Sequence, residues 1–228
     1  MIVLSNLDVR HKIAKRIAEE LEDGQAINLG IGIPTLVATY AEGKELYFQS
    51  ENGLLGIGAP PTPEELDAEL INAGKEPVTI TSGASFFSSA DSFGMIRGGH
   101  IDVAVLGILQ VNTKGQIANW AVPNQPILGV GGAMDLVTGA KKVIGAATLF
   151  TKDGSPKVVK ELTYPISGIR QIDLLVTDYA VFNFENGEIG VTELLGDLTL
   201  EELSERIGIQ LNWRGTDDKS RGNSICNT

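Results

Sequence analysis

Val9, Ile13, Ile17 and Leu21 recur at four-residue spacing, with Asn6 or Asp8 placed to cap the start and Gly24 to close the end. This stripe predicts one amphipathic helix. The apolar run 26–29 predicts a short buried strand that stops in Gly30-Ile31-Gly32-Ile33-Pro34, with Pro34 positioned to open the next helix. A second strand over 46–49 runs into Ser50-Glu51-Asn52-Gly53 and then a Gly- and Pro-rich stretch, 54–61, expected to be flexible. Thr62-Pro63-Glu64-Glu65 has the form of a capping box with proline at the first helical position and predicts a helix over 63–72.

Further along, 78–81 reads as a strand ending in the small, polar Ser82-Gly83-Ala84-Ser85, 88–97 as a helix, and 101–106 as a central strand. Asn112-Thr113-Lys114-Gly115 marks a hairpin. Residues 127–130 lead into Gly131-Gly132, a short helix over 133–137 and a strand over 143–147. Asp153-Gly154 and Asn186-Gly187 are turn signals, the second between strand-like segments 181–184 and 188–191. Short apolar strands alternating with helices predict an α/β layered domain, its sheet largely parallel, with antiparallel hairpins added. Ligands of such sheets sit beyond the carboxyl ends of the strands, which directs attention to the glycine clusters after Leu29, Gln49 and Val130. We expect one domain over 1–213. After Trp213 the apolar periodicity ends, so 214–228 is expected to be a disordered tail.

Composition narrows the functional classes. The 228 residues, 43% of them hydrophobic, suffice for one sizeable core. A formal net charge of −11 argues against binding nucleic acid or an anionic membrane, since both depend on clustered Lys and Arg. No apolar run is long enough for a membrane span, and residues 1–4 lead into the charged stretch 8–16 without the features of a signal peptide. Cys226 is the sole cysteine, so an internal disulfide is excluded and a reducing cytoplasm is the expected location.

Glu51 is the only acidic residue between Glu45 and Glu64 and stands at a strand end among Gly, Ala, Leu and Ile. A carboxylate so placed is poorly shielded by water and suits a nucleophile or base; equally, it could cap a turn. Gly30-Ile31-Gly32 lacks the third glycine of a dinucleotide fingerprint, because Thr35 occupies that position. Its exposed N–H groups could face a ligand oxygen, or the segment could be a plain strand-to-helix turn. Gly131-Gly132, before a short helix, has the same two readings. His11 and His100 lack partners at a telling spacing, and Ser82, Ser85, Ser88 and Ser89 form no G-x-S-x-G elbow.

The blocks 28–34 (NLGIGIP), 50–53 (SENG), 83–89 (GASFFSS), 95–100 (MIRGGH), 118–120 (ANW) and 131–137 (GGAMDLV) follow one another in order. Together they resemble the beta (B) subunit of the family I coenzyme A transferases, those acting on 3-oxoacids and on acetate, acetoacetate or butyrate. The likeness runs from about Asp8 to Trp213. It implies the family's α/β fold, an active site at the interface with a separate alpha (A) subunit in a heterodimer or heterotetramer, and coenzyme A as a substrate, with no tightly bound cofactor and no metal. It also implies that Glu51 is the nucleophile carrying a glutamyl-CoA thioester. Ile31, Gly32, Asn52, Gly131 and Gly132 are then expected around the reacting thioester, with backbone N–H groups stabilising its oxyanion. The implied reaction moves CoA from an acyl-CoA to a short acceptor carboxylate: acetate, acetoacetate, butyrate, succinate or a related 3-oxo acid. Two rival readings remain at this point, a sugar-phosphate isomerase-like enzyme on a related fold and a non-catalytic interaction subunit. The first requires a basic phosphate pocket with an acid/base pair, and the second is at odds with an isolated Glu51.

Overall fold

The computed structural model describes residues 6–123 and 129–216. Helix α1 (Asn6–Ala18) leads to strand β1 (Ala26–Leu29), then a turn of 3₁₀ helix (Pro34–Leu36) and helix α2 (Val37–Tyr40). Strands β2 (Tyr47–Ser50), β3 (Leu54–Ile57) and β4 (Ile80–Phe86) precede helix α3 (Ser89–Arg97). Strands β5 (Val103–Gly107), β6 (Gln110–Asn112) and β7 (Ile117–Ala118) come next, then helix α4 (Ala133–Gly139) and strand β8 (Lys142–Ala146). The chain continues through β9 (Val158–Val159), β10 (Leu174–Val176), β11 (Ala180–Glu185), β12 (Glu188–Leu194), helix α5 (Leu200–Ile207) and β13 (Asn212–Trp213).

Ten of these strands form one sheet in the order β13-β12-β11-β10-β8-β5-β1-β2-β3-β4. Its centre, β10-β8-β5-β1-β2, is parallel, and antiparallel strands extend it on both sides. A small second sheet pairs β7, β6 and β9. Central strands carry apolar residues on both faces, and these divide between two cores. Val103 and Val105 of β5 pack with Ile13, Ile17 and Leu21 of the first helical segment on one side. Ala104 and Leu106 of the same strand pack on the other, with Ile96, Leu136 and Val137 from α3 and α4 and Leu203 from α5. Period-two alternation therefore builds a helix–sheet–helix sandwich.

Aspartates at strand starts fix neighbouring strands to one another. Asp102, just before β5, accepts the Ala26 N–H at 2.8 Å, and Asp173, just before β10, accepts the Val143 N–H at 2.7 Å. Burial alone would raise the pKa of Asp102, but its bonds to Lys141 and to the Ala26 N–H outweigh that and hold it below the usual value.

Three sequence expectations are corrected. The 54–61 stretch is not wholly irregular: β3 occupies its first half, and Gly56, at φ +92°, absorbs a register shift between Leu55 and Ile57. The strand expected over 78–81 starts later and continues to Phe86, so Ser82 to Ser85 are strand residues. No helix forms over 63–72. Glu65 does reach back to the Thr62 N–H at 3.0 Å, as a capping box requires, yet the segment lies exposed, with Leu66 at 56% of its full accessibility. A helix this short has little stability without an apolar face to bury. Helix α5, by contrast, is absent from the sequence expectations. Part of the expected segment 127–130 and residues 217–228, including Cys226, fall outside the described residues. Arg214 is still docked, its N–H donating to the Val191 carbonyl at 2.8 Å.

Candidate active site

The connections after β1 and β5 leave in opposite directions, the first to β2 and the second towards β8. The crevice beyond their carboxyl ends is thus the switch point at which open α/β sheets bind ligands. A cavity of about 1780 Å³ opens there, lined by the loops after β1, β2, β5 and β8 and by residues 129–133. Glu51, Ile31, Gly131 and Gly132 all line it.

Glu51 is delivered by the end of β2. Gln49 and Ser50 are buried, at 3% and 4% exposure, and the Gly53 N–H donates to the Ser50 carbonyl at 3.0 Å to close a tight turn. Gly53 has φ +120°, and any Cβ there would drive into the carbonyl oxygen of Phe87, whose own N–H donates to the Gly53 carbonyl. Only glycine meets both demands, so this turn, and with it the direction of Glu51, is fixed against the start of α3.

A buried amide network supports the carboxylate. Asn28 is fully buried on β1, and its Nδ2 donates to Gln49 Oε1 at 2.6 Å, with a long 3.5 Å contact to Glu51 Oε2. Gln49 Nε2 in turn donates to Ser92 Oγ on α3 at 2.7 Å. The Oδ1 of Asn28 has no protein partner. These three residues were not singled out for chemistry from the sequence, although one signal was available: an asparagine inside an otherwise apolar buried strand must satisfy its amide somewhere.

Gly132 lies against the other side of Glu51. A methyl group added to it would stand 3.4 Å from Glu51 Cγ and 3.2 Å from the Phe93 ring. Gly132 caps α4, and Gly131 adopts φ +57°. Ile31 is 71% exposed, its carbonyl close to Gly107 and its side chain close to Gly74. Gly32, at φ +97°, lies near the Arg10 guanidinium and is not itself in the cavity wall. Asn52 also faces away from it: its Nδ2 donates to the Ile71 carbonyl at 2.8 Å. Ser50 Oγ accepts the Ala73 N–H at 2.8 Å, so the residues on both sides of Glu51 hold the 71–73 segment. Two of the other residues weighed in the sequence serve structure: His11 Nδ1 meets the Tyr40 hydroxyl at 2.7 Å, and Ser88 caps α3 by accepting the Asp91 N–H.

A half-buried carboxylate beside the Asn28 amide and a glycine loop, on the wall of a large cavity, is suited to attack on an activated acyl carbonyl. The sequence model described as Coenzyme A transferase matches residues 10–200, and the chain belongs to that family. Within it, the similarity is to B or beta subunits. The chain is 52% identical over 198 residues to the B subunit of succinyl-CoA:3-ketoacid coenzyme A transferase of Helicobacter pylori, covering 87% of this chain and 96% of that one. It is 47% identical over 203 residues to the B subunit of 3-oxoadipate CoA-transferase of Pseudomonas putida (89% and 95% covered), and 48% identical over 189 residues to the beta subunit of acetate CoA-transferase of Escherichia coli (82% and 86% covered). Among solved structures, an acyl-CoA transferase apoenzyme from Escherichia coli O157:H7 superimposes with a TM-score of 0.72 at 20% identity, covering 98% of this chain and 46% of that one. Glutaconate coenzyme A-transferase from Acidaminococcus fermentans gives 0.67 at 16% identity, covering 92% and 89%. At such identities these two establish the shared fold.

Proposed function

We propose that this chain is the glutamate-bearing subunit of a short-chain CoA transferase and that Glu51 is its nucleophile. The observation that carries the reading is Glu51 itself, held between Asn28 and Gly132 at the wall of the switch-point cavity. The carboxylate of Glu51 attacks the thioester carbonyl of an acyl-CoA and expels CoA thiolate, leaving an acyl-glutamyl anhydride. The thiolate then attacks the Glu51 carbonyl and releases the first acid, leaving a glutamyl-CoA thioester. An acceptor carboxylate attacks that thioester, and the same steps in reverse yield the new acyl-CoA and free Glu51. No net proton transfer or redox change is needed.

Each step passes through a tetrahedral oxyanion. Backbone N–H groups of the Gly131-Gly132 segment and of the loop holding Ile31 and Gly32 are the proposed donors, each worth about 3 kcal/mol of barrier. The amide of Asn28 steadies the carboxylate before attack and withdraws little charge from it, since its contact is long. The relatives named above act, by name, on succinyl-CoA with 3-ketoacids, on 3-oxoadipate and on acetate, and we place the substrates of this chain among such short acids. We further propose a partner alpha subunit completing the site in a heterodimer or heterotetramer, no tightly bound cofactor, a cytoplasmic location, and a domain of 1–213 on which Arg214 remains docked, with a tail beyond it.

The test is covalent. Acyl-CoA added without acceptor to the assembled enzyme should leave CoA on the peptide containing Glu51 and render the enzyme sensitive to borohydride. Glu51→Gln should bind CoA yet form no adduct, because a neutral amide is a far poorer nucleophile. Turnover by Glu51→Gln at the parent rate, or no CoA-dependent mass shift on that peptide, would refute the assignment.

A further inference from the structure

Three oxygens compete for the two protons on the Asn28 amide nitrogen, and the carboxylate of Glu51 comes last. Nδ2 donates to Gln49 Oε1 at 2.6 Å, lies 3.3 Å from the Gln49 carbonyl oxygen and stands 3.5 Å from Glu51 Oε2. This inverts the usual order. A carboxylate takes shorter and stronger hydrogen bonds than a neutral amide oxygen does, at about 2.7 to 2.9 Å.

The far end of Gln49 explains why the neutral oxygen prevails. Gln49 is buried at 3% exposure, and its Nε2 donates at 2.7 Å to the Oγ of Ser92, which is fully buried on α3. Serine and threonine inside a helix can turn the hydroxyl back to the carbonyl four residues earlier. Thr138 does so with Met134 and Ser204 with Leu200, both at 2.8 Å. Ser92 Oγ is given to Gln49 instead. Both ends of the glutamine amide are therefore bonded, one to β1 and one to α3, which fixes Oε1 against Asn28. Asn28 has no second anchor of that kind. Its Oδ1 is buried without a partner among the described residues, so its amide is held through nitrogen alone.

A carboxylate that accepts a full hydrogen bond has its charge stabilised before attack, and that stabilisation is lost as the charge leaves in the transition state. An approach of about 0.7 Å would turn the 3.5 Å contact into such a bond. We propose that Gln49, anchored by Ser92, is a competing acceptor that keeps the Asn28 N–H off Glu51 and so leaves the carboxylate nucleophilic. This rests on Glu51 being the nucleophile and adds to it two positioning residues that act through Asn28.

The test is a double-mutant cycle read on the chemistry, with the chain assembled with its partner subunit. Acyl-CoA is added without acceptor, and the rate at which CoA appears on the Glu51 peptide is followed by quenching and mass spectrometry. Gln49→Met keeps the length of the side chain and removes the competing oxygen. Labelling should then slow about 10- to 100-fold, the factor that a hydrogen bond to a charged group corresponds to, while calorimetric binding of CoA stays within about twofold. In an Asn28→Ala background the same change should alter labelling by no more than about twofold, because no amide is left to turn. Ser92→Ala, which frees the far end of Gln49, should slow labelling by less, and that effect too should vanish with Asn28→Ala. Melting curves check that each variant folds, and if Gln49→Met does not, the Ser92→Ala comparison carries the test. An equal loss with and without the Asn28 amide would overturn the proposal, since Gln49 would then act by packing. Unchanged or faster labelling by Gln49→Met, or a loss seen in CoA binding and not in labelling, would do the same. Absence of labelling in the parent enzyme would defeat the Glu51 assignment itself, whereas a labelled parent with no coupling between positions 28 and 49 defeats the competing acceptor alone.

Discussion

Replacing Gly132 tests the packing around Glu51 with little interference from backbone strain. Its φ of −81° is open to any residue, unlike that of Gly131, so a side chain here acts by volume. The methyl of Gly132→Ala would sit 3.4 Å from Glu51 Cγ, an ordinary contact, and 3.2 to 3.3 Å from the Phe93 ring, which must yield by a few tenths of an ångström. We expect a several-fold loss of kcat/KM and, because Gly132 is the N-cap of α4, a stability cost of about 1 kcal/mol or less. Gly132→Val extends a further bond length, about 1.5 Å, from the same Cβ. Whichever way its methyls turn, either Glu51 or Phe93 must move by about 1 Å, and misplacement of that size can cost 10²-fold in rate. Steady-state kinetics and the yield of CoA adduct on Glu51 measure the effect, and a thermal melt separates it from unfolding. Parent-level turnover by a folded Gly132→Val enzyme would show that the reacting carboxylate does not lie against this glycine.

Two further predictions concern stability. Gly53→Ala combines a forced φ of +120° with a clash against the Phe87 carbonyl, and should cost at least about 3 kcal/mol, read as a lowered denaturation midpoint with loss of adduct formation; a midpoint unchanged from the parent would contradict the turn geometry described here. Glu20 is burdened by burial but receives hydrogen bonds from Lys142 at 2.7 Å and Arg16 at 2.9 Å, which outweigh it and hold its pKa below 4.5. A depressed carboxylate stabilises the fold above its unfolded pKa, and that contribution is lost as pH falls through the folded value. Glu20→Gln should therefore cost roughly 1 to 2 kcal/mol at pH 7 and flatten the acid limb of the stability profile, and an identical profile for parent and variant would rule the network out as a stabilising element.

The layered fold was legible wherever local pattern and tertiary burial agree. Ile13, Ile17 and Leu21 repeat at helical spacing and are in fact sealed in the core, and Asn186-Gly187 takes positive φ at both positions, as a tight hairpin demands. Capping signals alone mislead. Thr62 and Glu65 make half the box with no helix behind it, whereas Thr199 and Glu202, overlooked in the sequence, make the complete box and open α5. The difference lies downstream: Leu203 and Ile207 find a core and Leu66 does not, which is a fact about the sheet and not about the motif. The site divides in the same way. Glu51 and Gly132 could be selected from residue type and resemblance. Their contact and the amides of Asn28 and Gln49 depend on strands brought together by the topology, which no sequence spacing encodes.

Ser50 and Asn52 each spend a side chain on the 71–73 segment, one through the Ala73 N–H and the other through the Ile71 carbonyl. The residue between them is Glu51. On the role proposed for Glu51, the reacting carboxylate and the segment that lines one side of its cavity are thus a single mechanical part, clamped at two points. An acid too bulky for that side must either displace the clamp, and Glu51 with it, or be refused, so on this face size selection and catalytic alignment cannot be tuned apart. Ile31 shares that face, its side chain beside Gly74, so room for a different acid has to be made elsewhere in the cavity.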